Sequence, residues 1–90
     1  MRVVQSRSFQ KIVKKLHNNQ KQVVDEAVSH ICANPLAGEL KTGDLVGLRV
    51  YKFRMLNQLM LLAYSYDDVA SILILELLGS HENFYRDLKH

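Results

Sequence analysis

Apolar side chains recur at Phe9, Ile12, Val13 and Leu16, spaced i, i+3, i+4 and i+7, which puts them on one stripe of a helix. The polar side of that helix carries Lys11, Lys14 and Lys15, so it is basic and amphipathic. His17-Asn18-Asn19 interrupts the pattern with turn formers, and Val23, Val24, Ala27, Val28 and Ile31 resume it. The second helix is expected to end near Asn34, because proline at 35 disfavours helical geometry in the residue before it. Helices joined by so short a turn pack as antiparallel neighbours.

After a loop over residues 35–44, which contains Pro35, Gly38 and Gly43, the period changes from 3.6 to 2. Leu45 to Arg54 reads as a strand, with Leu48, Val50 and Lys52 on one face and Arg49, Tyr51 and Phe53 on the other. Met55-Leu56-Asn57 is a tight connection to a second strand, Gln58 to Tyr66, and Asp67-Asp68 turns into a third, Val69 to Leu78. The third is apolar almost throughout apart from Glu76 and is therefore expected to be the central, most buried strand. Arg2 to Gln5 suits a short edge strand. The order β-α-α-β-β-β predicts an α+β fold: an antiparallel meander with an N-terminal helical hairpin on one face and a short C-terminal helix.

Ninety residues make a single domain over 1–90, since a chain this short has apolar surface for only one modest core. Hydrophobic residues at 48% and charged residues at 23% fit a globular chain and exclude a disordered or fibrous one. Cys32 is the only cysteine, which removes any intramolecular disulfide and suggests a filler of the helix–sheet core in a reducing cytoplasm. No segment reaches the roughly 18 apolar residues of a membrane span, so neither insertion nor export is expected. The net charge is +3, and five of the twelve cations fall in residues 1–15 without a single acid among them. Such a field raises encounter rates with RNA, DNA or an acidic protein, although a solvated helix face is its ordinary use.

The candidate chemistry is concentrated in the tail, Gly79-Ser80-His81-Glu82-Asn83-Phe84-Tyr85-Arg86-Asp87-Leu88-Lys89. An imidazole can take or give a proton near neutral pH, and Tyr85 stands four residues beyond His81, on the same side of any helix formed there. An aromatic at 84 or 85 serves equally to anchor the tail to the core. His17, His30 and His90 show no metal-ligand spacing, and no Gly-rich phosphate loop is present, so no metal and no cofactor is expected.

Several segments in order resemble the RelE/ParE superfamily of bacterial toxins, and within it ParE-like and YafQ-like members of type II toxin–antitoxin modules. They are Phe9 with Lys11 to Leu16, Asn34-Pro35-Leu36 with Gly38, Gly43-Asp44-Leu45 with Gly47-Leu48-Arg49, and Gly79-Ser80-His81 with Phe84-Tyr85. The resemblance implies a growth-arresting cytoplasmic toxin, neutralised by a cognate antitoxin. It offers two targets: a RelE-type member cuts mRNA on the ribosome, whereas a ParE-type member poisons DNA gyrase without catalysis. Under the RelE-type reading His81 matches a functional histidine of YafQ-like nucleases and is the general acid or base, with Tyr85 and Lys52 assisting. Arg49, Arg54 and Arg86, with Lys11, Lys14 and Lys15, would contact nucleic acid. The dense Lys/Arg set of RelE itself is replaced in this tail by Ser80, His81 and Asn83, so an enzymatic activity would rest on His81 more than on a cationic cluster.

Overall fold

The computed structural model describes residues 1–43 and 46–88, with side chains described as far as Phe84. Its elements run β1 (Arg2–Gln5), α1 (Arg7–Lys14), α2 (Asn18–Ala33), β2 (Glu39–Leu40), β3 (Arg49–Met55), β4 (Gln58–Asp67), β5 (Ile72–Ser80) and α3 (His81–Leu88). The expected α+β architecture is present, with a five-stranded sheet in the order β1-β5-β4-β3-β2. The sheet is mixed rather than purely antiparallel. β1 runs parallel to β5, since the α1–α2 hairpin carries the chain back across one face before β3 begins.

The central position belongs to β4, not to the strand over 69–78. Met60, Leu61, Leu62, Ala63 and Tyr64 are buried in succession because helices cover both faces of this strand. On the first face Phe9, Val24 and Ile31 from α1 and α2 meet Met55, Met60, Leu62, Tyr64, Leu73, Leu75 and Leu78. On the second, Phe84 of α3 closes over Val50, Leu61 and Ala63. The polar interruption at Glu76 has a geometric cause. Ala63 pairs with Leu77 and Tyr64 with Leu75, so Glu76 is the extra residue of a β-bulge. Its carbonyl accepts the hydroxyl proton of Ser6, whose Oγ in turn accepts the N–H of Phe9 at 3.0 Å and caps α1. One serine thereby fixes the start of α1 on the bulge.

α2 stops where expected: Asn34, before Pro35, leaves the helix at φ −143° and ψ 86°. The loop that follows holds the short strand β2, absent from the sequence-based expectation because two residues carry no periodicity. β2 pairs only with Arg49 and Val50, so the remainder of β3, from Tyr51 to Met55, is an open sheet edge. Lys41 N–H donates to Leu48 O, which shows that even-numbered residues of β3 direct their backbone groups outward at this edge. A two-residue loop, Leu56–Asn57, joins β3 to β4 with Leu56 at φ 55°. No helix among the described residues is long and apolar enough to cross a membrane.

The loop 34–38 is held from beneath by Tyr64. Its buried hydroxyl donates to Pro35 O at 2.6 Å and accepts the N–H of Gly38 at 2.8 Å. Gly38 must be glycine, because a Cβ there would lie 2.8 Å from the Tyr64 ring and hydroxyl. Burial pushes the Tyr64 phenol pKa up, and the Gly38 N–H and nearby Arg49 offset only part of that rise. The folded chain therefore keeps a proton that the unfolded chain begins to lose at about pH 10. Stability conferred by the neutral phenol is complete below that pH and is lost as pH climbs toward the folded value. Urea midpoints measured from pH 7 to 11 should decline above about pH 10. In Tyr64→Phe the decline should be shallower, and stability at pH 7 should be about 1–3 kcal/mol lower, since Gly38 N–H and Pro35 O lose their partner.

Candidate functional site

β5 leads directly into α3, and Ser80 marks the junction by accepting the N–H of Asn83 at 3.3 Å, as a helix cap does. His81 is thereby the first residue of the helix, exposed beside Glu82 and Asn83. It lines a shallow cleft of about 210 Å3 with Asn57, Gln58, Leu59, Ser80 and Glu82. The β3–β4 hairpin loop brings the amide side chains there, a contribution invisible in sequence until the pairing Met55–Gln58 is known.

Strand register sets the cations. Lys52 pairs with Leu61 and Leu61 with Gly79, so Lys52 lies in one cross-strand row on the face covered by α3. Arg54 pairs with Leu59 on the same face, and Leu59 in turn lines the cleft with His81. β3 and β5 are two strand spacings apart, roughly 10 Å, a gap that a lysine or arginine side chain can span. Both cations are exposed, and among the described residues neither makes an ion pair. Register thus sets Lys52 and Arg54 at the end of the second face where His81 begins α3, and Arg54, on the open edge of the sheet, also lines a cleft with Glu26 and His30 of α2.

The other expected residues are placed differently. Arg49 belongs to the first face, at the far end of β3, where its Nη1 donates to Gly38 O at 2.9 Å and Leu36 O at 3.5 Å. Its charge holds a loop rather than joining Lys52 and Arg54. Lys11, Lys14 and Lys15 are exposed on and just after α1, in the helical layer across the sheet from His81. The roles expected of Tyr85 and Arg86 fall on side chains outside the described residues. Phe84 is fully buried, so the aromatic at 84 is an anchor. Cys32 is half-buried and free. Among the described residues no three His, Cys, Asp or Glu side chains gather as a metal site.

The arrangement combines an accessible imidazole, the Glu82 carboxylate and two amide side chains at the rim of a sheet, with two cations nearby that form no ion pair among the described residues. Such groups can move one proton, draw a phosphate into place and hydrogen-bond a nucleobase or ribose.

Comparison with known proteins supplies the wider setting. In fold, the chain is similar to a chain of the intact E. coli RelBE toxin–antitoxin complex. The match has a TM-score of 0.70 at 14% identity and covers 87% of this chain and 93% of that one. It is also similar to a doubly substituted E. coli RelE in the free state, with a TM-score of 0.73 at 12% identity over 98% of this chain and 88% of that one. No curated protein matches. A family model for the ParE-like toxin of type II bacterial toxin–antitoxin systems matches residues 3–89, almost the whole length. With a five-stranded sheet between a helical hairpin and a C-terminal helix, and with that match, the chain belongs to the ParE-like toxin family of type II bacterial toxin–antitoxin systems.

Proposed function

We propose that this toxin arrests growth by cleaving mRNA on the ribosome, with His81 as the proton-transfer group. The observation that carries the reading is the common position of His81, Lys52 and Arg54 at one end of a sheet face. Cleavage within RNA uses the substrate's own 2′-hydroxyl: a base removes its proton and the oxygen attacks the adjacent phosphorus. The 5′-oxygen then leaves with a proton from an acid, giving a 2′,3′-cyclic phosphate and a 5′-hydroxyl. A neutral His81 suits the first transfer and a protonated one the second, with Tyr85 the candidate for the complementary role. Lys52 and Arg54 would hold the charge that gathers on the phosphate oxygens. The likeness in fold to the free E. coli toxin RelE fits this reading.

The second reading is a DNA gyrase poison, favoured by the ParE-like description of the matching family. Induced expression separates the two. The nuclease reading expects new 5′ ends inside translated messages within minutes of induction, without an SOS response. Growth arrest with intact messages, double-strand breaks and SOS induction would sink it in favour of gyrase.

A further inference from the structure

At the far end of the sheet from His81 lies a second cleft, of about 490 Å3, between the loop after α2 and the β4–β5 turn. Leu36, Leu40, Arg49, Tyr66 and Asp68 line it. Seven large apolar residues are exposed among those described, and four of them gather at this end. Leu36 is 63% exposed and Leu40 56%, while Val46, 75% exposed, adjoins Gly47 of the lining and Val69, 94% exposed, adjoins Asp68. Apolar patches of this kind, rimmed by polar groups, mark protein contacts, and four aliphatic side chains have nothing to offer an RNA backbone.

The floor is prearranged. Leu40 and Arg49 are cross-strand partners, which sets an aliphatic side chain beside a guanidinium on the same face. Arg49 is fixed by the carbonyls of Leu36 and Gly38, and the loop carrying them is pinned by the Tyr64 hydroxyl. A rim already locked in place loses little freedom when a partner seats on it. Arg49 and Asp68 are the charged groups of the lining; the guanidinium, held on the Leu40 side, can take a carboxylate, and the net charge of +3 favours an acidic partner overall.

We propose that this end of the sheet docks a segment of the cognate antitoxin that presents aliphatic side chains next to an aspartate or glutamate. The proposal rests on membership of the toxin–antitoxin family and is independent of whether His81 cuts RNA. Arg49 and Met55 stand at opposite ends of β3, six residues or roughly 20 Å apart. A segment seated here therefore grips the toxin without entering the cleft at His81.

The test uses the full-length toxin and its cognate antitoxin, with binding measured by titration. Leu36→Ser combined with Leu40→Ser alters only exposed side chains, and Leu40→Glu sets a competing carboxylate against Arg49. Circular dichroism and thermal melts confirm that each variant folds. Each is expected to raise Kd by about tenfold or more, while His81→Ala leaves it unchanged. Unchanged Kd in both surface variants overturns the proposal. So does loss of toxicity with normal antitoxin binding, which would assign the surface to the target. A concentration-dependent toxin dimer abolished by the same variants, with antitoxin Kd unaltered, would assign it to a second copy and overturn it as well. Absence of message cleavage, in contrast, would remove the nuclease reading and leave these Kd shifts intact.

Discussion

Cells induced for His81→Ala are expected to show message cleavage reduced by about 10²- to 10⁴-fold, the usual contribution of one positioned proton-transfer group. The side chain is exposed at the first position of α3, so its removal should leave thermal stability within about 0.5 kcal/mol of the parent. That separation of activity from stability makes the result interpretable. His81→Gln keeps a hydrogen-bonding side chain without a titrating nitrogen and should be as inactive as alanine. Full cleavage by either variant would remove His81 from the chemistry. Arrest that persists in both, with messages intact, would move the toxin to the gyrase reading.

The second large effect is expected at Phe84. Its ring is fully buried against Val50, Leu61 and Ala63, and it is the described side chain through which α3 enters the core. Truncation to alanine removes that contact and opens a cavity between helix and sheet, a change that costs about 3–5 kcal/mol in well-packed sites. Small domains have about 5–15 kcal/mol in total, so Phe84→Ala should unfold at much lower urea or release α3 while the sheet persists. Hydrogen exchange distinguishes these outcomes: release of α3 raises exchange at residues 81–84 and leaves β4 protected. Phe84→Leu retains most of the apolar volume and should recover most of the loss. A stability change below about 1 kcal/mol in Phe84→Ala would contradict the docking of α3 described above. Since His81 begins the same helix, release of α3 should also reduce cleavage, linking packing at 84 to chemistry at 81.

Much of the architecture was legible because it depends on local periodicity. The 3.6-residue spacing from Phe9 to Leu16 and the proline at 35 located the helical hairpin and its end. The alternation along β3 correctly divided Lys52 from Arg49. What escaped depends on pairing between distant segments. An apolar run marks β5 as buried but cannot rank it against β4, whose central position follows from strand order. Glu76 reads as a polar defect until its bulge and the Ser6 hydroxyl are seen together. The lysines of α1 are grouped with the strand cations as nucleic-acid contacts on charge alone, yet the sheet lies between them and Lys52. Asn57 and Gln58 reach His81 only through the hairpin that folds them back, and Tyr64, a tyrosine in an apolar strand, gave no sign that its hydroxyl would hold a loop 26 to 29 residues away.

The open margin of β3 has a bearing on solubility. An unpaired strand edge is a template on which another copy of the same chain can add, and natural proteins discourage this by placing charge there. The outward-directed backbone groups at 52 and 54 belong to a lysine and an arginine, so two such edges brought together would oppose like charges. The two side chains proposed to hold a phosphate thus also set like charges against each other wherever two such edges meet, so replacing them with neutral residues should favour association through the sheet.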